Sequence, residues 1–164
     1  DLRVSSLYVP SGGDKPDVAI NDKFAHKLAF MEEMKTFFAG DGLHVAGGDL
    51  NIAPQEHDVH NHKKCRRLVG HSDGERQIMA EAIEAGGWID TGRAVQPEGP
   101  LFTWWGYRYP PAFERNMGWR LDHLWLKRAH AELILRGSVF RESRAWEKPS
   151  DHAPVVLDLG LDAA

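Results

Sequence analysis

The stretch that most constrains this chain is Val45-Ala46-Gly47-Gly48-Asp49-Leu50-Asn51. Leu43, Val45 and Ala46 make a short apolar run of the kind that fills a buried strand. Two glycines end it, where the backbone has to be free of Cβ sterics. A carboxylate and a carboxamide follow two residues apart, so on extended backbone Asp49 and Asn51 point the same way. A charged and a neutral oxygen side by side at a strand tip suit a hard cation or a polarised water. The same residues also suit a plain turn, because Gly-Gly-Asp and Asn-x-x-Pro are turn formers.

The flanks decide what kind of strand this is. Residues 2–9 read as a first strand, stopped by the turn cluster Pro10-Ser11-Gly12-Gly13. From Lys23 to Ala39 the apolar residues Phe24, Leu28, Met31, Met34 and Phe38 recur at three- and four-residue steps. That spacing predicts an amphipathic helix, capped by Asn21 or Asp22 and ended by Gly40. Strand, helix, strand with one crossover is the parallel unit of an α/β layer.

Residues 52–71 read as a long loop carrying His57, His60, His62, Lys63, Lys64, Arg66, Arg67 and His71. The loop suits backbone phosphate; zinc binding by His57, His60 and His62 is the alternative, although their spacing matches no closed four-ligand site. Ser72 and Glu75 have capping-box spacing and open a second helix that runs to Gly86-Gly87. Trp88-Ile89-Asp90-Thr91 follows as a short docking segment in which Asp90 is structural. Residues 101–109, 118–126, 132–141 and 155–159 read as further strands. Adjacent Trp104 and Trp105 must face opposite ways on a strand, so one of them, or the tyrosines Tyr107 and Tyr109, lines a site or lies exposed. Asp122 shares a side with Leu124 and Leu126, where an unpaired carboxylate is costly.

Length and composition narrow the function. A chain of 164 residues is expected to form one domain over residues 1–164. No apolar run approaches the roughly 18 residues of a membrane span, and one cysteine, Cys65, excludes an internal disulfide framework. A reducing, cytoplasmic setting is expected. The net charge of -4 leaves nucleic acid open as a partner, because clustering of basic residues matters more than the total. No nucleophilic serine or cysteine motif and no glycine-rich phosphate loop is visible. What remains is hydrolysis by an activated water, with Asp49/Asn51, Asp122 and Asp151/His152 as the groups that handle cation and proton. Asp122 is the natural partner to fix the tautomer of His152 and favour its charged form.

Three of these stretches in this order, Gly48-Asp49-Leu50-Asn51, Gly118-Trp119-Arg120-Leu121-Asp122 and Ser150-Asp151-His152-Ala153-Pro154, resemble the signatures of the exonuclease III family. Its members are apurinic/apyrimidinic (AP) endonucleases of the endonuclease/exonuclease/phosphatase superfamily. Leu7-Tyr8-Val9-Pro10 resembles the family's tyrosine strand, and Phe102-Thr103-Trp104-Trp105 its aromatic strand. The resemblance implies a magnesium- or manganese-dependent DNA phosphodiesterase that cuts 5′ to abasic sites or trims 3′ ends. It implies that Asp49 activates water, that Asn51 supports phosphate or metal, and that Asp122 pairs with His152 against the scissile phosphate. By the same resemblance Tyr8 orients the phosphate, and Asp49, Asn51, Asp151 and His152 hold the metal. Trp104, Trp119 and Leu121 would line the pocket for an extruded sugar, with Ser11, Lys63, Lys64 and Arg108 on the DNA backbone.

The departure is one of extent. The implied fold is a four-layer α/β-β/α sandwich, DNase I-like, and the stretches above correspond only to its C-terminal half. The family's first half supplies an asparagine and the chief metal-binding glutamate, for which Glu32, Glu33 and Glu56 are no substitutes. Expected, therefore, are a mixed sheet with flanking helices and a weak or incomplete metal site. The bare sheet face is expected to be covered by a second copy or by the other half. The alternatives to a repair nuclease are a non-catalytic DNA-binding half-domain and another phosphoesterase of the superfamily.

Overall fold

The computed structural model describes residues 1–38 and 40–161. Strand β1 (Arg3–Tyr8) pairs in parallel with β2 (His44–Asp49), joined by helix α1 (Asp22–Phe37). Asn21 is the N-cap of α1, its side chain accepting from Lys23 N at 3.1 Å and Phe24 N at 3.3 Å. The helix ends at Phe37, short of Gly40, because Phe38 already leaves helical geometry at φ -109 and ψ 45; Ala39 lies outside the described residues.

The expected loop over 52–71 carries a 3-10 turn (Glu56–Asp58) and a short helix α2 (His62–Cys65). Helix α3 (Asp73–Ala85) starts at the capping box of Ser72 and Glu75. Strand β3 (Trp88–Asp90) and the short helix α4 (Thr91–Val95) follow. Residues 101–109 form no strand: Trp104 makes only isolated bridges to Trp119 and His152, in a segment otherwise without regular pairing. Strand β4 starts at Asp122 and runs to Lys127, later than the hydrophobic pattern suggests, because Trp119 pairs across with Val59 and Trp104 instead. β5 (Ile134–Val139) and β6 (Val155–Leu159) close the chain as an antiparallel pair.

The main sheet is four-stranded and mixed, in the order β1-β2-β4-β3, and β5-β6 forms a separate two-stranded sheet. α1 and α3 cover one face of the main sheet, where Met31, Met34, Ala46, Met79, Trp88 and Trp125 form the core. On the other face Val4 and Tyr8 of β1 stay exposed, at 68% and 65%. Trp105 is 1% exposed and belongs to a smaller cluster with Phe102, while Trp104 is only half-buried, so the two adjacent indoles do part. No helix among the described residues is long and apolar enough to cross a membrane.

Candidate active site

Register creates the site. Tyr8 pairs with Asp49, and Asp49 with Asp122, so three strands bring one phenol and two carboxylates into a row. Directly paired residues share a face, and the core-facing Leu7, Ala46 and Trp125 are out of phase with this row, so it lies on the open face. Gly48 allows the close approach: its φ is +143, and a Cβ there would lie 2.1 Å from the Leu7 carbonyl oxygen. At the tip of β2 the chain turns through Asn51, which adopts φ 52. The Asn51 amide group donates to the Val9 carbonyl at 2.9 Å and to the Asp49 carboxylate at 3.1 Å. Both amide hydrogens being placed, the side-chain oxygen is the atom left to face a ligand.

His152 reaches the row from the loop before β6. Its Nδ1 lies 2.8 Å from Asp122 Oδ2, and its backbone N–H donates to Ser150 Oγ at 3.1 Å. The Asp122 bond, the largest influence, raises the imidazole's pKa above its ordinary value against the opposing effect of burial. Asp49 behaves the other way for a carboxyl: burial pushes its pKa up, the Asn51 N–H bond pulls it down, and the facing Asp122 raises it further. Asp49, Asp122 and His152 each offer a ligand atom within 4.8 Å of one another. The donor set is two hard oxygens and one imidazole, with the Asn51 oxygen adjacent, and an under-compensated carboxylate lies at its centre. It fits a hard divalent cation. Asp122 favours the charged form of the imidazole, and a metal would need its neutral form, so the oxygens of Asp49, Asn51 and Asp122 are the simpler ligands of the set.

The structure brings together Tyr8, Asp49, Asn51, Asp122 and His152. Asp151, next to His152 in the chain, is not one of the three groups whose ligand atoms lie within 4.8 Å of one another; its Oδ2 accepts from Trp104 Nε1 at 2.9 Å, and its charge favours the charged form of His152. Trp104 and Trp119 stand edge to face with centroids 6.5 Å apart, and Leu121 is buried beside them with Ala53, Val59 and Cys65. Leu121, at 8% exposure, belongs to the cluster on which the two indoles pack. Lys63 and Lys64 are exposed on α2, and Arg108 and Ser11 are exposed on loops. His57, His60 and His62 form no metal-ligand cluster among the described residues; His62 Nδ1 lies 2.9 Å from the Nε2 of buried His71 instead.

Three residues escape the sequence reading. Thr103 is fully buried, and its hydroxyl accepts from Leu121 N at 2.9 Å and Asp122 N at 3.0 Å, fixing the start of β4. Arg144 donates to the Ser150 carbonyl and so holds the His152 loop. Lys27 is buried behind Asn51, and its signal was a charged residue in phase with Phe24, Met31 and Met34.

Residues 16–152 match the Endonuclease/Exonuclease/phosphatase family. An exodeoxyribonuclease of Bacillus subtilis is 39% identical over 116 residues, covering 70% of this chain and 43% of the relative. An AP endonuclease structure from Archaeoglobus fulgidus superposes with a TM-score of 0.90 at 29% identity, covering 98% of this chain and 62% of that one. A Neisseria 3′ phosphatase, NExo, bound to product DNA hairpin, superposes with a TM-score of 0.84 at 32% identity, covering 95% and 60%. The chain spans about half the length of the curated relatives it matches, 43% and 55% in two of them. On the strength of the family match and these likenesses, the chain belongs to the endonuclease/exonuclease/phosphatase family, in its exonuclease III and AP endonuclease branch.

Proposed function

We propose that the chain carries the phosphodiester-cleaving groups of a divalent-metal-dependent DNA-repair nuclease, cutting 5′ to abasic sites or removing nucleotides from 3′ ends. The observation that supports this most is the row Tyr8-Asp49-Asp122 with His152 bonded to its end. Asp49, whose burial makes its charge costly, accepts a proton from water more readily than an exposed carboxylate does, which suits a general base. Asp122 holds His152 by Nδ1, which leaves Nε2 to donate to a phosphate oxygen. The Tyr8 hydroxyl, exposed at the same edge, orients that phosphate. Asp49, Asn51 and Asp122 would hold Mg²⁺ or Mn²⁺, which when bound neutralises charge developing on the phosphoryl oxygens.

The substrate reading rests on the apolar corner of Trp104 and Trp119 beside the row and on exposed Lys63, Lys64 and Arg108. An abasic sugar, lacking its base, fits such a corner once extruded, and the cations track phosphate without reading sequence. Double-stranded DNA is the partner we infer, in a reducing cytoplasm where Cys65 stays a thiol. The open face around Val4 and Tyr8 is expected to be covered by a second copy or by the family's other half.

A second reading, a DNA-binding half-domain with little activity, is favoured by one observation: no glutamate joins the acidic cluster among the described residues. Incubation of a labelled abasic duplex with this chain in Mg²⁺, and in EDTA, separates the two. Cleavage only in Mg²⁺ is the expected result. Duplex binding without cleavage would favour the second reading, and cleavage of an inositol phosphate with abasic DNA left intact would move the chain to another branch. Sedimentation of the same sample reports whether the open face is paired.

A further inference from the structure

Behind the turn that follows β2, a buried ion pair holds the Asn51 backbone. Lys27 on α1 is completely buried, as is Glu75 on α3, and their charged atoms are 2.6 Å apart. The Lys27 ammonium also donates to the Asn51 carbonyl at 2.7 Å and to the Ser11 carbonyl at 3.2 Å. Three donors meet three acceptors, so the ammonium is fully used. Its stem is fixed as well: a Cβ on Gly12, whose φ is +89, would come within 2.8 Å of Lys27 Cδ. Glu75 accepts in turn from the N–H of Gly70 at 2.8 Å and from the N–H and hydroxyl of Ser72 at 3.1 and 2.5 Å.

One ion pair thus gathers three separate loops: the exit of β1 at Ser11, the turn after β2 at Asn51, and the segment leading into α3. Stability is a weak reason for such a pair, since desolvating both charges offsets their attraction and an apolar substitute is often as good. What a charged, three-point donor adds is direction. Asn51 needs it, because it holds a left-handed φ of 52 while its side chain bridges Val9 and Asp49.

We propose that Lys27, balanced by Glu75, is a positioning residue for the Asp49-Asn51 arm: it clamps the Asn51 backbone so that the side-chain oxygen stays aimed at the ligand side of the row. This rests on the nuclease reading of the row. Changing both partners at once avoids leaving a lone buried charge, so the test compares the chain with its Lys27→Met/Glu75→Gln variant. Mn²⁺ alone is titrated while nuclear magnetic resonance follows line broadening at the Asn51 side-chain amide, and melting temperature is measured in parallel. The expected result is a melting temperature within a few degrees of the original, with the Mn²⁺ midpoint raised threefold or more. A folded variant whose midpoint moves less than threefold overturns the proposal. Should the variant fail to fold, the unsubstituted chain decides. A slowly exchanging Lys27 ammonium coupled through its hydrogen bond to the Asn51 carbonyl carbon supports the clamp, and absence of that coupling overturns it. An unsubstituted chain whose Asn51 signal ignores Mn²⁺ would contradict the nuclease reading itself, and the clamp, which is defined by that site, falls with it.

Discussion

Two groups of charged residues gather around the start of β4 and are treated in opposite ways. In one, the buried Asp58 and the partly buried Asp90 lie among Arg93, Arg120 and His123. Arg93 and Arg120 bond Asp58 and Asp90 respectively, Arg120 lies 3.6 Å from Asp58, and His123 lies 3.9 Å from Asp90. Burial alone would push the Asp90 carboxyl up, yet His123 and Arg120 together hold it far below the ordinary carboxylate range. In the other, Asp49 and Asp122 face each other with one imidazole bonded to Asp122, and the Asp49 carboxyl is raised. The first group is electrically closed and serves the fold. The second is left short of positive charge, which is what a site that receives a cation and a phosphate requires.

Breaking the closed group should have the largest effect. Arg120→Met leaves the buried Asp58 and the partly buried Asp90 short of a partner and is expected to cost about 3–5 kcal/mol, read by urea denaturation. Little loss would mean that the two groups differ less than argued. Next is Asp49→Asn, which should lower abasic-duplex cleavage about a hundredfold while leaving the melting temperature unchanged or higher, since it removes a disfavoured charge. A clear drop in melting temperature would make Asp49 structural.

The His152-Asp122 pair gives a smaller, pH-dependent effect. Its folded pKa being raised, His152 binds its proton more tightly in the folded state. The contribution to stability is therefore complete below about pH 6.5, the unfolded value, and is lost as pH rises through the raised folded value. Melting temperatures across that window should fall for the original chain and stay flatter for Asp122→Asn; parallel curves would remove the pair from the account. Trp104→Phe should have the smallest effect, removing one hydrogen bond to Asp151 with a stability loss of about 1 kcal/mol.

The parallel β1-α1-β2 unit and the capping box of Ser72 were legible because local chemistry specifies them: apolar periodicity, an Asn cap, a Ser-x-x-Glu spacing. The site acids were legible as a set for a similar reason, since Gly48, Asp49 and Asn51 lie within a few residues. Long-range register was not. That Tyr8, Asp49 and Asp122 fall in one row depends on β4 inserting between β2 and β3, which no local pattern encodes. The segment around Trp104 has the composition of a strand but pairs only at single bridges, because Trp119 and His152 approach it from different loops. A lysine in an apolar stripe, as Lys27 is, reads as an interruption of the helix face, and only the fold shows its three acceptors.

The central claim is that the under-compensated row is where a phosphodiester bond breaks. The direct measurement is the cleavage rate of a labelled duplex with a single abasic site in Mg²⁺, for the original chain and for His152→Ala from matched preparations. The account predicts a product band for the original chain and a rate at least about a hundredfold lower for the variant. Equal rates for the two would contradict it.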